Sequence, residues 1–161
     1  MPIDCELREV VDADLEVFFA QQLDPEANWM AAFTAKDPTD RAAFDAHWAR
    51  ARAATTVVIR TIMTDGRIAG SVLSYVEGDG PEVSYWLGRE YWGRGLASAA
   101  LAAFLEHVNP ARPMRARVAK DNPASLRVLQ KCGFRIVGED RGYAQARGAE
   151  TEEYLLLLGA P

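Results

Sequence analysis

Two stretches hold most of the side chains able to do chemistry. The first runs Val83-Ser84-Tyr85-Trp86-Leu87-Gly88 and then Trp92-Gly93-Arg94-Gly95-Leu96-Ala97. The second runs from Asp121-Asn122-Pro123-Ala124-Ser125 to Lys131-Cys132-Gly133-Phe134. A strand that enters a helix through a glycine loop leaves the first helical N–H groups unpaired, and the helix dipole makes them an anion site. Glycine lets phosphate oxygens come close to the backbone. Arg94, with Arg89 nearby, adds charge-assisted donors. The chemistry that suits this loop is the holding of a pyrophosphate, although the loop alone also reads as an ordinary strand-to-helix turn.

Other phosphate motifs do not fit. A nicotinamide fingerprint wants a third small residue and a later acidic ribose ligand, whereas position 98 is Ser98 and the next strand carries Arg115 and Arg117. No Gly-Lys-Ser/Thr follows the glycines, so the triphosphate loop is absent. In the second stretch Asn122 reads as a helix cap, Pro123 takes the first helical position, and Ser125 is an early polar residue. If the strand Arg115–Ala119 lies beside Glu82–Gly88, that polar helix start faces the same cleft as the glycine loop.

The elements that must position these residues follow from periodicity and turn chemistry. Cys5–Val10 reads as a first strand. Asp12 and Asp14 precede a helix carrying Leu15, Val17, Phe18 and Phe19; Pro25 starts a second with Trp29, Met30 and Phe33; Asp40 caps a third to about Ala54. Thr56–Thr64 and Arg67–Val76 are strands joined at Asp65-Gly66, and Glu77 to Pro81 turns into the strand Glu82–Gly88. The glycine loop opens a helix striped by Leu101, Phe104, Leu105 and Val108, which Asn109-Pro110 ends. The strand Arg115–Ala119, a helix from Asn122-Pro123 closed by Gly133, and the strands Phe134–Gly138 and Glu153–Leu158 complete the chain.

Taken together, the Trp92-Gly93-Arg94-Gly95-Leu96-Ala97 and Asn122 to Phe134 motifs resemble the GNAT superfamily of N-acetyltransferases. The branch they look most like holds the ribosomal-protein N-terminal acetyltransferases, the RimJ/RimL-like group. The resemblance in element order covers essentially the whole chain. The superfamily loop often begins with Gln or Arg where this chain has Trp92, and the Tyr91-Trp92-Gly93 run favours the named branch. The resemblance implies an α/β (α+β) fold: one domain over residues 1–161, with a mixed, mostly antiparallel sheet of about seven strands flanked by helices. It also implies a cleft for acetyl-coenzyme A between two splayed central strands. Leu87 and Gly88 would offer backbone groups near the thioester. Gly93, Arg94, Gly95, Leu96 and Ala97 would hold the pyrophosphate, with Trp92 beside them in the cofactor site, Asn122 on the pantetheine arm and Ser125 at the thiol end.

Acetyl transfer to a primary amine needs a neutral amine, a stabilised oxyanion and a leaving thiolate. A lysine amine has a pKa of about 10.4 and an α-amine about 8, so the former needs a base more. Glu82 is the candidate base, acting directly or through water, although it also reads as a solvated charge at a strand start. Ser125 and Tyr143 are candidate donors to the departing thiolate. Arg89, Arg94, Lys120, Arg127 and Lys131 bracket the motifs and offer local positive charge. Phe18, Phe19, Trp29, Met30 and Phe33 read mostly as core, with a minority lining an acceptor pocket beside Trp86 and Tyr143.

Composition bounds the rest. With 161 residues, 49% hydrophobic and 25% charged, the chain is an ordinary globular domain. A net charge of −5 speaks against a nucleic-acid surface and for a cationic acceptor, a peptide or a small molecule. Apolar runs are too short to span a membrane and no signal peptide is visible, so a cytoplasmic protein is expected. Two cysteines and two histidines suggest neither a disulfide framework nor a metal site. Oligomeric state is not readable. A non-catalytic module that binds or senses acyl-coenzyme A is the competing reading, because no base is unmistakable.

Overall fold

The computed structural model describes residues 3–159. Strand β1 (Glu6–Arg8) leads into helices α1 (Asp14–Gln22), α2 (Pro25–Ala31) and α3 (Arg41–Ala53). The meander β2 (Val58–Thr64), β3 (Arg67–Glu77) and β4 (Gly80–Leu87) follows. A short 3-10 turn, Arg89–Tyr91, leads to α4 (Leu96–Ala103), which a π turn extends to Val108. Then come β5 (Met114–Ala119), α5 (Pro123–Lys131), β6 (Arg135–Ala144) and β7 (Ala149–Leu158). The seven strands form one sheet in the order β1-β2-β3-β4-β5-β7-β6.

All neighbours are antiparallel except β4 and β5, which run parallel and meet only at Glu82 and Arg115. Beyond that point the two strands part. Strand alternation divides the side chains between two layers. One face carries Val72, Val83, Leu87, Ala116, Val118 and Leu156 into the main core beneath α4 and α5. The other face carries Ile59 and Leu73 against Phe18, Phe44 and Trp48 of α1 and α3. Among the described residues no helix is long and apolar enough to cross a membrane.

Several expected boundaries shift for physical reasons. The turn before β4 needs only Gly78-Asp79, because Gly78 takes φ 64° and Glu77 pairs directly with Gly80. β6 and β7 form a hairpin longer than Phe134–Gly138 and Glu153–Leu158, since Gly142, Tyr143 and Ala144 pair with Thr151, Glu150 and Ala149. The charged residues between hide a strand period that backbone pairing restores. Asp14 is not a surface cap. It is buried inside α1, where Arg8 binds it through two nitrogens and Thr61 Oγ1 and the Val11 N–H also donate to it.

Candidate active site

The parting of β4 from β5 opens a cleft of about 490 Å³. Its walls are Val83 to Leu87, Ala116 to Ala119, Tyr91 to Gly93, Gly95 with the first turn of α4, the start of α5, and Ala27, Met30 and Ala31 of α2. The Gly88 N–H donates to Ala69 O on the β3 side at 2.9 Å. By strand alternation the backbone groups of Tyr85 and Leu87 therefore turn toward the gap, where no strand lies beside them. This corrects the expectation for Gly88, whose N–H is occupied by β3. The Leu87 carbonyl is occupied too, by Trp92 Nε1 at 3.0 Å, so Leu87 keeps its N–H for the cleft.

At the wide end the glycine loop has the geometry of an anion cradle. Gly93 and Gly95 take φ 74° and 78°. Gly95 is the N-cap of α4, and no side chain fills that cap. The first bond of the helix runs from Ala99 N–H to Gly95 O, so the N–H groups of Leu96, Ala97 and Ser98 point out of the helix start. Gly93, Gly95, Leu96 and Ala97 all line the cleft. Arg94 sits exposed at the rim, over the Tyr91 ring. Arg127 and Lys131 line the opposite wall. Among the described residues none of these three cations pairs with a carboxylate. Arg89 and Lys120 are not available to the cleft: Arg89 pairs with Asp24 and Glu26, and Lys120 with Glu139 and Glu152.

Asn122 caps α5 through Oδ1, which accepts from the Ser125 N–H, while its Nδ2 donates to Met30 O. Ser125 lines the cleft and its Oγ accepts from Tyr85 Oη at 3.0 Å. Burial raises the Tyr85 phenol above its ordinary pKa and so keeps it a donor. Glu82 lies where β4 and β5 close, on the sheet face opposite the main core. It is only 5% exposed, which corrects the reading of a solvated charge. Tyr75 Oη donates to one of its oxygens at 2.5 Å and Arg117 Nε to the other at 3.4 Å. Arg117 also binds Glu153, whose carboxyl burial raises despite that pairing. Tyr143 is not brought to the site: it is 61% exposed near the tip of the β6–β7 hairpin and lines no part of the cleft.

The C-terminal end of α2 bridges the mouth of the cleft. Trp29 O accepts from Arg147 Nε, Met30 O from Asn122, and Ala32 O from the Ala146 N–H. Arg147 stacks over the Trp29 ring and binds both oxygens of Asp121 at 2.7 and 2.9 Å. Beyond this bridge lies a second cavity of about 410 Å³, lined by Asn28, Phe33, Thr34, Asp37, Asp40 and His47 among others. Trp86 lines both cavities. Of the expected acceptor group, Met30 reaches the cleft and Phe33 the second cavity, whereas Phe18 and Phe19 pack in the core of α1 and α3. Sequence reading missed Tyr85, Arg117, Arg147 and His47. Alternation on β4 could have flagged Tyr85; nothing local could have flagged Arg147, whose partners are distant in sequence. Among the described residues no cluster of His, Cys, Asp and Glu could hold a metal ion.

Residues 5–135 match the acetyltransferase (GNAT) domain. An uncharacterized N-acetyltransferase p20 of Bacillus licheniformis is 32% identical over 81 residues, which are 48% of this chain and 45% of that protein. The chain thus matches less than half the length of that relative. Among solved structures, Mycobacterium smegmatis RimJ in complex with CoA-disulfide superposes with TM-score 0.79 at 23% identity, covering 99% of this chain and 86% of the other. Spermidine N-acetyltransferase from Vibrio cholerae in complex with CoA and spermine superposes with TM-score 0.81 at 14% identity, covering 96% and 95%. At those identities the likeness is one of fold. The domain match, which spans both motifs and the cleft between them, shows that the chain belongs to the GNAT acetyltransferase family.

Proposed function

We propose that this protein is an N-acetyltransferase that passes an acetyl group from acetyl-coenzyme A to a primary amine in a ternary complex. One observation carries the reading: the uncapped start of α4 opens into the gap where β4 has lost its strand partner. The helix start suits a pyrophosphate, and the backbone of Tyr85 and Leu87 suits the amides of an extended pantetheine arm. From Leu87 back to Val83 is about 13 Å of strand at roughly 3.3 Å per residue. An arm laid along β4 therefore brings the thioester near Val83 and Ser84, close to the closure at Glu82, and not to Leu87 as the family resemblance implied; Leu87 meets the arm nearer its pyrophosphate end. Solved relatives holding coenzyme A, acetyl-coenzyme A or spermine support the same pairing of ligands.

The bound thioester supplies the acetyl group. Glu82, acting through an intervening water, takes a proton from the ammonium. The neutral amine nitrogen then bonds to the carbonyl carbon, the carbon–sulfur bond breaks, the nitrogen loses its second proton to solvent, and Glu82 returns its own proton to solvent. Ser125 gives its hydroxyl proton to the thiolate and regains one from solvent. Positioning and backbone N–H contacts to the developing oxyanion contribute most, because a thiol with a pKa near 8.5 is already a tolerable leaving group. The test is acetyl-CoA-dependent release of free thiol across a panel of amines that includes peptides with free N-termini. Tight coenzyme A binding with no thiol release above the acceptor-free rate would instead make the chain a binding module.

A further inference from the structure

Glu82 shares Arg117 with a second enclosed carboxylate. Glu153 of β7 is 6% exposed and accepts from Arg117 Nη1 at 2.8 Å, whereas Glu82 accepts from Arg117 Nε at 3.4 Å. Asp140 of β6, half in solvent, lies 3.4 Å from the same Nη1. An ion pair needs one carboxylate; here a single guanidinium serves two buried ones, and taking the surplus charge out of water is costly. Burial accordingly raises the Glu153 carboxyl in spite of Arg117, while the hydrogen bond to Glu153 is the foremost cause that raises Arg117. Nearby on β3 are Tyr75, which donates to Glu82, and the exposed Glu77, whose carbonyl takes Arg115 of β5. On α2, Asp24 and Glu26 are held by Arg89, and Asp37, Asp40 and His47 lie farther along β4 in the cavity that Trp86 lines.

A guanidinium seated squarely on a carboxylate, through two parallel hydrogen bonds, holds it ionised and makes it a poor base. Arg8 sits on Asp14 in that way; burial would raise the Asp14 carboxyl, yet Arg8 and its companion donors bring it below the ordinary range. Glu82 receives one long contact instead, because the shorter bond of the same guanidinium goes to Glu153. We propose that Glu153 is a positioning residue for acetyl transfer: by holding Arg117 it keeps the guanidinium from settling on Glu82, and so leaves Glu82 able to take a proton from the acceptor ammonium. This rests on the acetyl-transfer reading with Glu82 as its base, and deepens it.

Glu153→Gln keeps the shape and an oxygen for Arg117 but removes the charge, so the guanidinium turns to Glu82. Because the acceptor enters as an ammonium, the acid limb of kcat/KM reads the ionisation of the base. An opposite charge drawn closer favours the carboxylate, so that limb should move at least about 1 pH unit lower in Glu153→Gln. The plateau kcat should fall with it, since a weaker base takes the proton less readily. Tyr75→Phe, which removes a donor to Glu82, should move the limb the other way. Asp140→Asn should move it much less, because solvent screens that carboxylate. A merely structural role for Glu153 would lower the plateau and leave the limb in place, which overturns the proposal. Titration of the Glu82 carboxyl by NMR, in the coenzyme-loaded parent and in Glu153→Gln, separates the proposal from the catalytic reading. A midpoint that does not fall in Glu153→Gln overturns it whatever the turnover. A midpoint that falls while the limb stays overturns Glu82 as the base, and with it the catalytic role of Glu153. Where no amine gives thiol release, acetyl transfer fails, and a falling midpoint still shows that Glu153 holds Arg117 off Glu82.

Discussion

Tyr85 Oη and Ser125 Oγ lie 3.0 Å apart across the inner wall of the cleft, with the phenol donating. Because Ser125 accepts from Tyr85, its own hydroxyl proton is left to face the cleft. Ser125→Ala should keep coenzyme A affinity within about twofold and lower kcat about three- to tenfold, less than the usual general-acid effect because the thiolate is already a tolerable leaving group. Tyr85→Phe should show a smaller loss in the same direction. Tyr143→Phe should leave both parameters near the parent, since the ring stays outside the cleft; steady-state kinetics of the three variants decide between the two candidate donors.

Gly95 takes φ 78°, and an added Cβ would lie 2.9 Å from Ile3 Cδ1. A β-branched residue there costs about 1–3 kcal/mol of backbone strain and tilts the N–H groups that follow. Gly95→Val should weaken coenzyme A binding at least about tenfold by calorimetry, in a protein whose circular dichroism remains native.

Glu82→Gln keeps the shape and removes the base. At neutral pH kcat should fall by roughly 10²-fold or more, and recover as pH approaches the pKa of the acceptor amine itself. A parallel loss at every pH would mean that Glu82 serves the Tyr75 and Arg117 contacts and not the proton.

Arg147 is only 7% exposed at its side chain, while its partner Asp121 is largely in solvent. Its removal frees the Trp29 ring and one tie across the cleft mouth. Discounted for the exposure of Asp121, Arg147→Ala should cost about 1–3 kcal/mol by denaturant titration. Amide exchange in residues 26–34 should rise more than elsewhere.

Burial alone would raise the Asp14 carboxyl, but Arg8, the Val11 N–H and Thr61 bring it below the ordinary carboxylate range. A depressed carboxylate stabilises the fold above its unfolded pKa, near 3.9. That contribution is lost as pH falls through the lower folded value. Asp14→Ala should therefore lower stability by about 1–3 kcal/mol at pH 7, leaving the Thr61 and Val11 donors unpaired. The difference from the parent should narrow in acid, which thermal melts across pH would show.

The sequence by itself determined the parts that depend on neighbours along the chain. Gly93 and Gly95 before an apolar helix mark an uncapped helix start, and Asn122-Pro123 marks a capped one, because turn and cap chemistry act over a few residues. The element order and the expected pairing of β4 with β5 followed from periodicity and loop position. Tertiary structure decided what those parts face. Whether Glu82 was solvated or enclosed depended on Tyr75 and Arg117, which other strands bring to it. Whether Arg89 met a phosphate or a carboxylate depended on where α2 sets Asp24. Tyr143 left the cleft because β6 and β7 pair far beyond their apolar halves and carry it toward the hairpin tip. The second cavity exists only because α2, α3 and β4 meet, and no window of sequence holds Asn28, Thr34, His47 and Trp86 together. Local chemistry is written within a turn or two of backbone, whereas burial and ion-pair choice are set by contacts that form only when distant segments pack.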